Sequence, residues 1–156
     1  MKPDFEIAEN KLKEVATLLN TLLADEYILY TKTRNAHWNI QGKNFNELHK
    51  FFEGQYEPLD IIIDDTAERV RALGHFALGT LKDFLQVARL SEINDDFSDQ
   101  DHIIQTLLVD HESIIRSLSK DIITAAECKD LGTADFMTGI MEKHEKMAWM
   151  LRSYLN

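Results

Sequence analysis

The stretch NAHWNIQGKNFNELHK, Asn35–Lys50, decides how this chain folds, because it joins two long apolar patterns through a short turn. Before it, Phe5, Ala8, Leu12, Val15, Leu19, Leu22 and Leu29 alternate by threes and fours, the spacing of one buried helical stripe. The pattern predicts a first helix from about Asp4 to about Ala36. Turn chemistry occupies Asn39–Lys43, and Asn44 followed by Glu47 resembles a helix-starting box with Asn in place of Ser or Thr. A second stripe follows in Phe45, Leu48, Phe52, Leu59, Ile62, Ile63, Val70 and Leu73. Pro58 falls inside it and is expected to kink the helix without ending it, because the pattern continues.

Beyond Gly74 no long stripe appears for roughly two dozen residues, although KDFLQVARL, Lys82–Leu90, has the pattern of a short helix. SEINDDFSDQ, Ser91–Gln100, reads as a loop that caps a third helix with the stripe Ile104, Leu107, His111, Ile114, Leu118, Ile122. A fourth carries Met137, Ile140, Met141, His144, Met147, Ala148, Leu151 and Leu155. Short joins make helices one and two, and three and four, antiparallel neighbours. The long middle segment crosses the bundle. The expectation is an all-α, ferritin-like four-helix bundle in a single domain, 1–156, whose one long crossover carries a short extra helix.

Composition narrows the function. With 156 residues, 44% hydrophobic and 28% charged, the chain has enough length for one core without staples. Cys128 is the single cysteine, so it has no internal disulfide partner and reads as a small residue near a helix end. No apolar run reaches the about 18 residues of a membrane span, and MKPDFEIAENKLKE is too charged for a signal peptide. The expected location is the cytoplasm. A net charge of -10 argues against generic attraction to nucleic acid and suits a protein that handles cations.

His37 and His49 are twelve residues apart, and Asp64 follows His49 by fifteen. Asp64 and Glu68, spaced i,i+4 in IDDTAER, share a helix face. Fifteen helical steps leave His49 and Asp64 about 60° apart around the axis but about 22 Å apart along it. Metal–ligand bonds are about 2.0–2.2 Å, so one chain does not bring the four together. Either the two pairs are unrelated, or they meet across molecules. A two-fold dimer with antiparallel second helices would set His37 and His49 of one subunit against the carboxylates of the other, a mixed N/O set suited to iron or zinc. A di-iron site inside one bundle needs Glu-x-x-His motifs, and the sequence has none. His111 and His144 sit on apolar stripes and read as hydrogen-bonded core histidines, while His75 and His102 lie at loop edges.

Taken together, LADEYILYTKTRNAHWNIQG, FNELHKFFEGQYEPLDIIIDDTAERVRALG and LGTADFMTGIMEKHEKMAWMLRSYL resemble the Dps family, the mini-ferritins named for DNA protection in starved cells. The resemblance implies a ferroxidase centre between two-fold-related subunits, with His37, His49, Asp64 and Glu68 as its iron ligands. It further implies a hollow dodecamer that oxidises Fe(II), preferably with hydrogen peroxide, and stores ferric mineral. Trp38 matches the family's tryptophan near the metal, with an aromatic anchor for the turn as its other reading. Asp130 and Asp135 match the acidic entry pore at one three-fold axis, with Glu127 as a weaker candidate and helix capping as the other role for Asp130. Glu53 and Glu57 are candidates for mineral nucleation or a plain solvated face. The departure concerns DNA. Lys2, Lys11 and Lys13 are offset by Asp4, Glu6 and Glu9, and Tyr154–Asn156 is not the Lys-rich extension that DNA-binding members use. A DNA-compacting protein and a metal-binding cage without turnover are the competing readings.

Overall fold

The structure is a computed structural model that describes residues 3–92 and 96–155. Lys2, the part of the expected capping loop at 93–95, and Asn156 lie outside the described residues. Five helices follow in order: α1 (Glu9–Asn39), α2 (Phe45–Ala72), α3 (Leu81–Val87), α4 (Gln100–Glu127) and α5 (Leu131–Tyr154). α1 pairs with α2 and α4 with α5, while α3 rides on α1 within the crossover. Among the described residues there is no strand, and the arrangement is the ferritin-like four-helix bundle.

The apolar stripes become the core. Leu19, Leu22, Leu29, Phe52, Leu59, Ile62, Leu118 and Leu151 are all fully buried. Burying side chains of this size is worth about 1.5–3 kcal/mol each, which is why the stripes outweigh local interruptions. α2 runs unbroken through Pro58.

One helix start and one helix cap differ from expectation. α1 begins at Glu9, not near Asp4: Glu6 takes a left-handed φ of 56°, Ala8 is extended, and Phe5 is left exposed. α2 does start after Asn44, but no side-chain bond caps it. The Glu47 carboxylate instead accepts from Tyr154 Oη at 3.0 Å, tying the end of α5 to the start of α2. α4 and α5 are capped as such residues should be. Asp99 accepts from His102 N at 3.0 Å, and Asp130 accepts from Thr133 N at 2.9 Å. Cys128 is the buried C-cap of α4, its thiol pKa pushed up first by burial.

Gly42 makes the α1–α2 turn possible. Its φ of 112° is a left-handed value, and a Cβ there would approach Gln100 Nε2 at 2.9 Å. Gln100 donates from that nitrogen to Gln41 O at 2.7 Å, so the histidine-bearing hairpin is anchored to the start of α4.

The crossover is pinned by charge. Asp25, buried in α1, accepts from the backbone N–H groups of Arg89 and Leu90 at 2.5 and 3.2 Å and from Arg89 Nε at 2.7 Å. Arg89 Nη1 reaches on to Asp121 of α4 at 2.9 Å. Lys32 adds a second tie, pairing with Asp110 at 2.5 Å and donating to Ser91 O at 3.1 Å.

His111 and His144 are core histidines. Their Nδ1 atoms lie 2.9 Å apart, and His144 Nε2 meets Glu26 Oε1 at 2.7 Å. Burial first, and then His144, holds the His111 pKa well below the ordinary imidazole range. The folded state therefore keeps His111 neutral, whereas the unfolded chain protonates it near pH ~6.5. Stability from this group is present above that value and lost as pH falls below it. Urea midpoints should therefore drop between pH 7 and 5.5, with a smaller drop in His111→Gln. Parallel pH profiles for the two proteins would refute this.

Candidate metal centre

His37 is near the end of α1 and His49 in the first turns of α2, so the hairpin brings their rings face to face. The centroids are 3.8 Å apart and the planes 19° from parallel. The backbone fixes both. His37 Nδ1 lies 2.7 Å from His49 O, and His49 Nδ1 lies 2.8 Å from His37 O. A carbonyl only accepts, so both Nδ1 atoms carry protons, and in the neutral imidazole this leaves the lone pair on Nε2. Locking one ring nitrogen this way is what orients a histidine for metal through the other. His37 is buried and His49 half-buried.

Asp64 and Glu68 are exposed on one face of α2, on the turns that Asp64–Glu68 spans. Because α2 is continuous from Phe45 to Ala72, the helical rise keeps Asp64 about 22 Å and Glu68 about 28 Å from His49. Among the described residues, no three His, Cys, Asp or Glu side chains of one protomer converge as a metal site. Beside Asp64 lies an open hollow of about 430 Å³, bordered by Tyr27, Asp60, Ile61 and Phe84. Phe84 of α3 forms its wall by stacking on Tyr27 at 4.5 Å.

The other candidates separate. Trp38 does not pack the turn: it is 61% exposed, with the Arg34 guanidinium over its ring at 4.9 Å. Asp130 is buried, and its carboxylate holds Thr133 and Arg69, the latter at 3.3 Å. Asp135 and Glu127 are exposed. Glu53 is half-buried and Glu57 exposed. His75 stands 3.9 Å from Glu9, and His102 is exposed in the first turn of α4. Sequence reasoning passed over Arg34 and Tyr56. Their signal was position: Arg34 is three residues before His37, and Tyr56 seven after His49, each on its histidine's helix face. The His37 and Tyr56 rings meet edge-on at 5.2 Å.

A four-helix bundle with a single long crossover is the ferritin-like arrangement. The ferritin-like domain model matches residues 16–156. The chain is 43% identical over 150 residues to an uncharacterized low temperature-induced protein of Nostoc, covering 96% of this chain and 84% of that one. It is 34% identical over 144 residues to DNA protection during starvation protein 2 of Bacillus anthracis, covering 92% and 98%. Dps from Vibrio cholerae O1, described as a member of a broad superfamily of ferritin-like diiron-carboxylate proteins, superposes with a TM-score of 0.92 at 31% identity, covering 100% and 98%. The chain belongs to the Dps family of the ferritin-like superfamily.

Proposed function

We propose that this protein is an iron-storage mini-ferritin that oxidises Fe(II), preferably with hydrogen peroxide, at centres shared between two-fold-related subunits of a hollow dodecamer. The observation that carries the reading is the reciprocal lock of His37 and His49. Two imidazoles are held face to face, each with one nitrogen spent on the backbone and one left for a cation. Asp64 and Glu68 are exposed on a helix that an antiparallel copy would lay against those nitrogens, with Asp64 and Glu68 of the partner subunit completing the ligand set.

Iron is here the substrate. Imidazole nitrogen and carboxylate oxygen both suit Fe(II), and the carboxylates favour the more highly charged Fe(III) product. Two Fe(II) supply two electrons, which with two protons reduce one hydrogen peroxide to two waters. Delivering both electrons at one centre avoids hydroxyl radical, and that is the protective outcome. Asp135 is the better pore candidate, since Asp130 is already committed to Thr133 and Arg69. No described helix is long and apolar enough to cross a membrane.

The deciding measurement is Fe(II) oxidation with peroxide and with oxygen, on protein of known mass. Turnover by a dodecamer, faster with peroxide, is expected. A fully active monomer would overturn the reading, because one protomer does not assemble the four ligands. Protection here needs no DNA contact. With a net charge of -10, the protein should not retard DNA at physiological salt and neutral pH. A gel shift without added divalent cation would contradict that expectation.

A further inference from the structure

Arg34 stands one turn before His37 on α1, boxed by rings. Its guanidinium carbon is 4.8 Å from the centroid of Tyr56, 4.9 Å from Trp38 and 5.5 Å from Tyr30. One donor is spent: Nη1 donates to Tyr30 Oη at 2.7 Å. The Nε–H is buried and meets no acceptor among the described residues. Stacked rings occupy the faces of a guanidinium and leave its edge, where the N–H groups lie. A cation flanked by rings with an edge donor unspent is suited to a carboxylate.

Helix direction says which carboxylate arrives. α1 and α2 are antiparallel, with His37 facing His49 and Tyr30 facing Tyr56. A second α2 laid antiparallel on the first therefore runs parallel to α1. If His37 meets Asp64 of the partner subunit, one turn back along both helices brings Arg34 to Asp60 of the partner subunit. The steps are three residues on α1 and four on α2, about 4.5 and about 6 Å. Within one protomer Asp60 is exposed and makes no hydrogen bond or ion pair among the described residues. It acts on Arg34 only through its field. That is the least of the influences raising the Arg34 pKa, and the bond to Tyr30 is the first.

We propose that Arg34 and Asp60 of the partner subunit form a reciprocal ion pair, two per dimer, which sets the register in which the histidines meet the partner's carboxylates. This rests on the shared-site reading and assigns Arg34 as a positioning residue rather than an iron ligand. It also explains why a permanent cation stands beside a site meant for Fe(II): its charge is cancelled on assembly.

The test uses Arg34→Glu and Asp60→Lys chains carrying different tags, with dimer content read by native mass spectrometry. Each variant alone places like charges opposite one another twice, and its dimer should be weakened by about tenfold or more. Co-expressed, the two chains should pair preferentially with each other, since the mixed dimer holds two opposite-charge pairs. Binomial mixing of folded variants overturns the proposal. Rescue by both substitutions within one chain, without preferential mixing, also overturns it, because the pair would then lie inside a protomer. Where reversed charges prevent folding, Arg34→Gln and Asp60→Asn replace them. Their combination should weaken the dimer no more than the worse single change, and additive losses overturn the pair. No iron is needed in this assay. Random mixing with an iron-oxidising wild type sinks the pair alone, whereas preferential mixing without iron oxidation sinks the ferroxidase reading alone.

Discussion

Cages of His37→Ala and cages of Asp64→Ala should each lose about 100-fold in peroxide-driven Fe(II) oxidation. Changing a residue that only supports a metal ligand costs ~10–100-fold, so His37 and Asp64, proposed as ligands themselves, belong at the top of that range. Assembly should survive, because interface energy comes mainly from apolar burial and the ligands are a few polar contacts. Mixing the two is the sharper experiment. In a mixed two-fold dimer, one centre collects both defects and the other collects neither. Equal co-expression should therefore restore about a quarter of the wild-type rate, since half the dimers are mixed and half their centres intact. Co-assembly verified by mass, with activity still at the level of the single variants, would show that the centre is not shared. The backbone lock predicts a further asymmetry. His37→Ala removes the donor that His49 O accepts from as well as a proposed ligand, so it should also loosen the α1–α2 turn. Asp64, exposed on its helix, should not.

The parts of this molecule that repeat were legible in the sequence, and the parts that depend on a single distant partner were not. Leu12 through Leu29 and Met137 through Leu151 could be read as stripes because helix periodicity sums over many residues. The start of α1 was misplaced because Phe5 and Ala8 keep the same phase as the stripe. A left-handed Glu6 separates them from the helix, and no periodicity records that. The expected Asn44–Glu47 box failed for a different reason. Tyr154, 107 residues further on, takes the Glu47 carboxylate. Asp130 had two readings at sequence level, and only Arg69 and Thr133, placed beside it by the fold, show its carboxylate occupied. Of the candidate site, spacing alone showed that His37 and His49 could meet and that Asp64 could not join them in one chain. It could not show the paired Nδ1–carbonyl bonds, which depend on how closely two backbones approach. Nor could it show that Arg34 is caged, because Tyr30, Trp38 and Tyr56 come from two helices.

The same distant-partner logic makes Asp25 a vulnerable polar residue of the scaffold. Asp25→Ala should destabilise the protomer by about 3–5 kcal/mol, the usual consequence of removing one partner of a buried charge pair. Asp25 is 1% exposed and its carboxylate holds three donors, two of them backbone N–H groups just beyond the end of α3. Removing it leaves those groups and much of the Arg89 charge uncompensated, with Asp121 as the remaining anchor. For a chain of this size a loss of that order lowers Tm by about 10 °C. Asp25→Asn should cost less, since its amide oxygen can still accept from the backbone, although Arg89 loses its opposite charge. The damage should spread toward the centre along an identifiable route. Freed from α1, the crossover no longer holds Phe84 against Tyr27, and that stack walls the hollow beside Asp64. Iron oxidation should therefore fall in Asp25→Ala at temperatures where the cage is still assembled, and fall less in Asp25→Asn. A melting temperature within about 2 °C of wild type for Asp25→Ala would mean that Arg89–Asp121, the Lys32 tie and apolar contacts hold the crossover without Asp25.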